Sequence, residues 1–244
     1  MHIVKGKRSV LEAVRSGVLV DRILILKSHG NKDYIKDIVR EAETKRISIK
    51  YVASDVFKSH RILGQDQGVI AVLQPKKQMS LEDIIENKAL YPVLVALDHL
   101  HDPFNFGSIL RTCEVLGVKG IIYPKDRHVQ LTPGVIKSSS GAIEHLDLVK
   151  VTNLSRVLSQ LKKEGFWLYG ADESSSQTIL KHTFQYPCVL VFGNEEKGIS
   201  HGVSKLLDMS VQIPIRGKVS SLNVSVAAGI MVYTVTNTPA YDDF

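Results

Sequence analysis

Ten residues, Asp98-His99-Leu100-His101-Asp102-Pro103-Phe104-Asn105-Phe106-Gly107, bring two carboxylates, two imidazoles and a carboxamide together, and Arg111 follows six residues after Asn105. Asn105 is placed to cap the helix that follows, and six residues is under two helical turns, so Arg111 faces the same loop end in this reading. A second group is Gly193-Asn194-Glu195-Glu196-Lys197-Gly198, in which two glycines bracket an amide and carboxylates. That set suits a ligand with hydroxyls and an amino group better than a phosphate. A third runs Ile213-Pro214-Ile215-Arg216-Gly217-Lys218-Val219-Ser220-Ser221-Leu222-Asn223 and leads into the small-residue stretch Val224-Ser225-Val226-Ala227-Ala228-Gly229. Several familiar sites lack their fingerprints: the chain has no G-x-G-x-x-G after a first strand, no P-loop, no H-E-x-x-H and no G-x-S-x-G elbow. His99 and His101 are the closest histidine pair but lack an evident third ligand, so no metal is expected.

The elements that must hold these loops follow from hydrophobic spacing. From Val93 onward, apolar runs suited to buried strands alternate with helical patterns. Strands are predicted at 93–97, 120–123, 146–151, 166–170, 188–192 and 209–213. Helices are predicted at about 105–116, 154–164, 203–207 and 222–236. Apolar strands separated by helices imply an α/β domain with a parallel sheet covered on both faces, and its ligand sites lie beyond the carboxyl ends of the strands. All three polar groups follow predicted strands. Ahead of this region, the spacing predicts a helix over 8–16 stopped by Gly17, a strand over 23–26, an amphipathic helix over 32–46, and strands over 47–52 and 68–73, a small α/β domain. The domains are read as 1–75 and 92–244, joined by a linker over 76–91 in which Ser80 caps a short helix with Asp83 at its third position.

Charge separates the two parts. Residues 1–75 hold 14 Lys and Arg against 8 Asp and Glu, whereas residues 76–244 hold 17 of each, so the whole excess of +6 lies in the first third. A basic module beside a neutral one points to a polyanion-binding part and a part with another task. Nucleic acid is favoured over a membrane surface, because no basic amphipathic helix carries aromatic anchors. No apolar run is long enough to span a bilayer and the first residues contain no leader pattern, so no membrane association is expected. Cys113 and Cys188 are far apart and form neither a metal motif nor a disulfide framework, which fits a reducing, cytoplasmic location.

Taken in order, the three loops resemble the motifs of the SpoU family of RNA ribose methyltransferases, also called the TrmH family, within the knotted SPOUT class. The first motif is matched by Asp102 through Thr112, the second by Leu190 through Gly198, and the third by Ile213-Pro214-Ile215 with Ser221 through Ala227. The stretches Gly6-Lys7-Arg8-Ser9-Val10-Leu11-Glu12-Ala13 and Gln67-Gly68-Val69-Ile70-Ala71 are similar to the L30e-like substrate-binding domain of the branch that modifies 23S ribosomal RNA. One departure is Glu196, which stands where many members have glycine; if that position needs a positive φ, glutamate is costly there.

The resemblance implies a parallel-sheet domain with a deep trefoil knot, a homodimer, and S-adenosylmethionine as methyl donor. It implies a donor site at Gly193, Asn194, Gly198, Ile213, Ile215, Ser221 and Leu222, and a catalytic centre of Asn105, Arg111, Glu195, Ser221 and Asn223. It places Arg111 of one subunit near the other's donor pocket. Lys7 and Arg8, with Arg111, are the first choices for RNA contacts. The family proposal of Arg111 as general base conflicts with a guanidinium that keeps its proton to above about pH 12. An electrostatic clamp that lowers the hydroxyl's pKa is the preferred role. A guanosine of 23S RNA is the expected substrate. Transfer-RNA ribose, an antibiotic-resistance methylation of ribosomal RNA, and a non-catalytic RNA-binding assembly factor stay open.

Overall fold

The computed structural model describes residues 3–15, 20–30, 32–55, 67–73 and 79–242. Gly17, expected to stop the first helix, and 74–78, where the linker was expected to begin, lie outside them. The chain divides into two compact units, Met1–Lys77 and Gln78–Phe244.

The first unit contains β1 (Ile3–Lys5), α1 (Lys7–Arg15), β2 (Val20–Leu26), α2 (Asp33–Thr44), β3 (Ser48–Val52) and β4 (Val69–Leu73). The sheet order is β1-β4-β2-β3, with β2 and β3 parallel and β4 antiparallel to both its neighbours. Val10 and Val14 of α1 and Ile35, Ile38 and Ala42 of α2 pack with Ile23, Ile25, Val69 and Ala71 of the sheet. The alternate residues Leu24, Ile70 and Val72 point to the other face, as the period of two requires. Lys45 Nζ donates to the Arg15 carbonyl at 2.8 Å, a cation on the negative end of α1. Strand β1 was not expected; three residues are too few to show alternation, and its pairing with β4 defines it.

The second unit contains α3 (Leu81–Glu86), β5 (Val93–Leu97), α4 (Pro103–Val115), β6 (Gly120–Pro124), α5 (Pro133–Ser138), β7 (Asp147–Val151), α6 (Leu154–Lys163), β8 (Trp167–Ala171), β9 (Cys188–Phe192), α7 (His201–Ser204), β10 (Met209–Val211), α8 (Val224–Thr236) and α9 (Pro239–Asp242). Its six strands are all parallel, in the order β10-β8-β9-β5-β6-β7. Two cores flank the sheet. In β5, Val93, Val95 and Leu97 enter one and Leu94 and Ala96 the other, so an unbroken apolar strand is what burial on both faces demands.

Besides the short α9 at Pro239–Asp242, which the spacing does not predict, three sequence readings change. The expected linker, 76–91, is not a tether over 79–91: Ser80 and Asp83 form a reciprocal capping box, and Leu81, Ile84 and Tyr91 join a core of the second unit. Helix α5 was not anticipated; it is six residues long, starts at a Thr132 cap and is too short for a periodic signal. Strand β10 ends at Val211, and Ile213 lies in the segment that follows.

Candidate active site

Strands β5 and β9 are neighbours in parallel register, so the loops leaving Leu97 and Phe192 emerge side by side. Helix α4 begins in the first of these loops. Its cap is Asp102, whose carboxylate accepts from the Phe104 and Asn105 amides at 3.1 and 3.2 Å, and Pro103 occupies the first turn. Asn105 is therefore not the cap expected from sequence. It is the third residue of the helix, three positions after the cap, and its side chain is free for other partners.

Those partners come from two distant parts of the chain. Asn223 Nδ2 donates to Asn105 Oδ1 at 3.0 Å, and Asn105 Nδ2 donates to Glu195 Oε1 at 3.2 Å. The amide orientations follow from the ends of the chain. Asn223 caps α8 by accepting from the Ser225 amide at 2.9 Å, which leaves its nitrogen for Asn105. Asn105 must then turn its own nitrogen toward Glu195, since a carboxylate only accepts. Glu195 Oε1 also receives the Asp102 amide at 3.4 Å. A line of three side chains thus joins the ends of β5 and β9 to the start of α8.

Asn194 holds the loop that carries Glu195. Its Oδ1 accepts from the Glu196 and Lys197 amides at 2.9 and 3.1 Å, and its Nδ2 donates to the His99 carbonyl at 2.9 Å. The main chain closes on itself through paired Asn194–Gly198 hydrogen bonds, both 2.9 Å. A Cβ at Gly193 would lie 2.1 Å from the Gly198 carbonyl carbon and 2.2 Å from the Ile199 nitrogen, so only glycine permits this closure. Gly198 takes the left-handed conformation at φ +65, whereas Glu196 is not among the residues with positive φ. The glutamate at 196 therefore carries none of the backbone strain that the sequence raised as a possible cost.

Asp98 braces the base of the same loop. It is 1% exposed, with one carboxylate oxygen on His99 Nδ1 and the other accepting from the Ser200 amide at 2.7 Å. His128 lies buried against the rings of Phe106 and Tyr123. Burial pulls its pKa down to about 4, so the ring is neutral. Its Nδ1 donates to the Val129 carbonyl at 2.7 Å.

The remaining predicted residues are placed as follows. Ser221 and Leu222 directly precede Asn223, so the tie to Asn105 carries them to this end of the sheet; both are exposed. Ile215 and Leu222 leave apolar surface uncovered, at 38% and 40% exposure, and Ile213 is half-buried. Ser221 makes no hydrogen bond among the described residues. Arg111 is not part of the Asn223–Asn105–Glu195 line; its Nη1 donates to Ser140 Oγ at 3.2 Å instead. Lys7 and Arg8 open α1 in the first unit, where the Lys7 ammonium lies 5.3 Å from the centre of the Tyr34 ring. Asp98 and Asp102 were seen in the first polar loop without their bracing and capping roles, and Ser140 was not singled out. For Asp102 a signal existed, because Asp before Pro at a helix start is a cap signature; for Ser140 none did.

Among the described residues, no group of three or more His, Cys, Asp and Glu side chains is arranged to hold a metal ion, and no helix is long and apolar enough to cross a membrane. Residues 92–233 match the model of the SpoU rRNA Methylase family, and residues 3–79 match that of the RNA 2'-O ribose methyltransferase substrate binding family. A Bacillus subtilis protein named as a TrmH family tRNA/rRNA methyltransferase is 37% identical over 233 residues, covering 94% of this chain and 93% of that one. A Staphylococcus epidermidis protein of the same family name is 36% identical, with coverages of 96% and 94%. Among solved structures, the SpoU methyltransferase AviRb from Streptomyces viridochromogenes superposes with a TM-score of 0.73 at 27% identity, over 96% of this chain and 88% of that one. AviRb has also been solved in complex with AdoMet. With the family model spanning most of the second unit and relatives matching along nearly their whole length, this chain belongs to the SpoU family of RNA methyltransferases.

Proposed function

We propose that the protein transfers a methyl group from S-adenosylmethionine to a ribose 2'-hydroxyl in RNA, with a guanosine of 23S ribosomal RNA as the substrate. The observation that carries this reading is the Asn223–Asn105–Glu195 line, which gathers one residue from each of the three motif loops. The donor set fits the cofactor. Gly193 allows a loop too tight for a side chain, Gly198 supplies its left-handed turn and Asn194 holds its shape, Ile213, Ile215 and Leu222 offer apolar surface for adenine, and Ser221 offers a hydroxyl for the ribose. The bound sulfonium supplies an already activated methyl group. The protein's task is then to orient the acceptor and ease loss of its proton. Asn105 and Asn223 fix the Glu195 carboxylate, Ser221 presents a free hydroxyl, and Arg111 holds a permanent positive charge for a phosphate or a developing alkoxide.

The basic first unit grips the RNA, with Lys7 and Arg8 as contacts, and Arg111 adds one in the second unit. The choice of ribosomal over transfer RNA is supported by coverage. The A. aeolicus TrmH/SpoU tRNA modifying enzyme aligns with 64% of this chain, whereas the SpoU rRNA Methylase and substrate-binding family models between them match residues from 3 to 233. A homodimer is part of the same reading. Val226, Ile230 and Tyr233 expose an apolar stripe on α8 at 48%, 37% and 59%, which a second copy would cover. The deep trefoil knot belongs to this reading as well and rests on the family likeness.

Labelled S-adenosylmethionine with separate pools of 23S, 16S and transfer RNA, followed by nucleoside analysis, tests the proposal. Label in a 2'-O-methylguanosine of 23S RNA, lost in Arg111→Ala, is the expected result. Label confined to transfer RNA overturns the substrate, and no label in any pool overturns the activity.

A further inference from the structure

Arg111 stands apart from the amide–carboxylate line, and its partner is unusual. Ser140 receives the guanidinium at 3.2 Å while holding a left-handed backbone, φ 51. Non-glycine residues rarely adopt that conformation, and such outliers collect where the surroundings force them. Here the forcing is visible. Ser138 Oγ donates to the Gly134 carbonyl at 2.9 Å and lies 3.3 Å from the Pro103 carbonyl at the start of α4. A Cβ on Gly107 would lie 1.8 Å from that same hydroxyl and 2.9 Å from the Val135 carbonyl, so α5 rests directly on α4 at a glycine. Ser139 is fully buried with its hydroxyl on the Ile136 carbonyl at 3.0 Å. The chain leaving α5 is thus pinned at two successive serines, and the third is delivered to Arg111.

The chemistry of the partner matters. None of the ion pairs among the described residues involves Arg111. A carboxylate would orient the guanidinium and also neutralise it. A hydroxyl oxygen orients it and leaves the whole positive charge for the substrate. It also removes rotamer freedom from a long exposed side chain before RNA arrives.

We propose that Ser140 is a positioning residue that pre-orients Arg111 for the reaction, held for this purpose in a strained backbone by the packing of α5 on α4. This rests on the methyltransferase reading above. The test compares Ser140→Ala, Ser140→Gly, Ser140→Asn and Ser140→Asp in the full-length protein, measuring kcat, KM for RNA and for S-adenosylmethionine, Tm, and the order of the Arg111 guanidinium by 15N NMR. Alanine and glycine both delete the hydroxyl, and each should lower kcat about tenfold or more, as for a hydrogen bond to a charged group, with KM for S-adenosylmethionine unchanged. Glycine should do so with a Tm at or above wild type, because it suits the left-handed backbone. Asparagine tolerates that backbone and offers an oxygen, so it should restore most of the rate. Aspartate should be worse than alanine, because it would neutralise the guanidinium. In both deletion variants the Arg111 resonance should become mobile. Wild-type kcat in the alanine and glycine variants, or an equally ordered Arg111 resonance in all proteins, overturns the proposal. If wild type methylates no RNA, the function reading fails, and the Arg111 resonance still decides whether Ser140 positions it.

Discussion

Replacing Asn105 by aspartate tests the site at its centre. The exchange keeps the oxygen that accepts from Asn223 at 3.0 Å and removes the nitrogen that donates to Glu195 at 3.2 Å. Two carboxylate oxygens would then face each other. At 3.2 Å, two unit charges repel by about 1.3 kcal/mol in a dielectric of ~80 and about 5 kcal/mol at ~20. Glu195 is exposed, so the lower end applies. Adding about 1 kcal/mol for the lost hydrogen bond gives roughly 2 to 3 kcal/mol for N105D. The double variant N105D/E195Q restores the match, because the glutamine amide can donate where the asparagine amide did. Urea denaturation of the wild type, both single variants and the double variant measures the coupling directly. The double variant should recover at least about 1 kcal/mol relative to additivity. Its methyl-transfer rate reports separately whether the negative charge of Glu195 is needed for chemistry or only its hydrogen bond. Strict additivity would mean that the contact contributes nothing, and the argument that it positions the first two motif loops would fail with it.

Gly193→Ala drives a methyl into main-chain atoms that cannot rotate aside, so it should cost about 3 kcal/mol in urea denaturation and abolish S-adenosylmethionine binding by calorimetry. Gly217→Ala, with nothing within 4 Å of its Cβ, should be nearly neutral. His128 is held neutral with its pKa near 4 against 6.5 when unfolded, so the unfolded chain binds the extra proton between those values. Its contribution is complete above pH 6.5 and is lost as pH falls toward 4, by roughly 2 kcal/mol at pH 5. His128→Phe keeps the ring packing and should flatten the fall of Tm between pH 6.5 and 4.5; an unchanged slope would assign the acid sensitivity elsewhere. Removing Lys7 and Arg8 together should weaken RNA binding and lower the slope of log K against log salt by about 1.5 to 2 units. An undiminished slope would remove both residues from the RNA interface.

Much of this protein was legible in one dimension. The strands at 93–97 and 188–192 coincide with observed elements because burial on both faces makes an unbroken apolar run of the right length. The three polar loops could be found because they follow such runs, and their order identified the family. The Ser80–Asp83 capping box was readable because capping is a contact between near neighbours. What the sequence could not reveal depends on packing between distant segments. Asn105 reads as a helix cap until the competing Asp102, three residues earlier, is seen to take both amides. Nothing near Asn105 in sequence names Asn223 and Glu195 as its partners; their separations of 118 and 90 residues are closed only by the parallel sheet. Ser140 is a serine among three until α5 settles on Gly107 and turns it toward Arg111. Local propensity and hydrophobic period are properties of short stretches and are written in residue types. Hydrogen bonds that tie two strand ends to a helix start are set by sheet order and by which backbones can touch, and these exist only once the chain is folded.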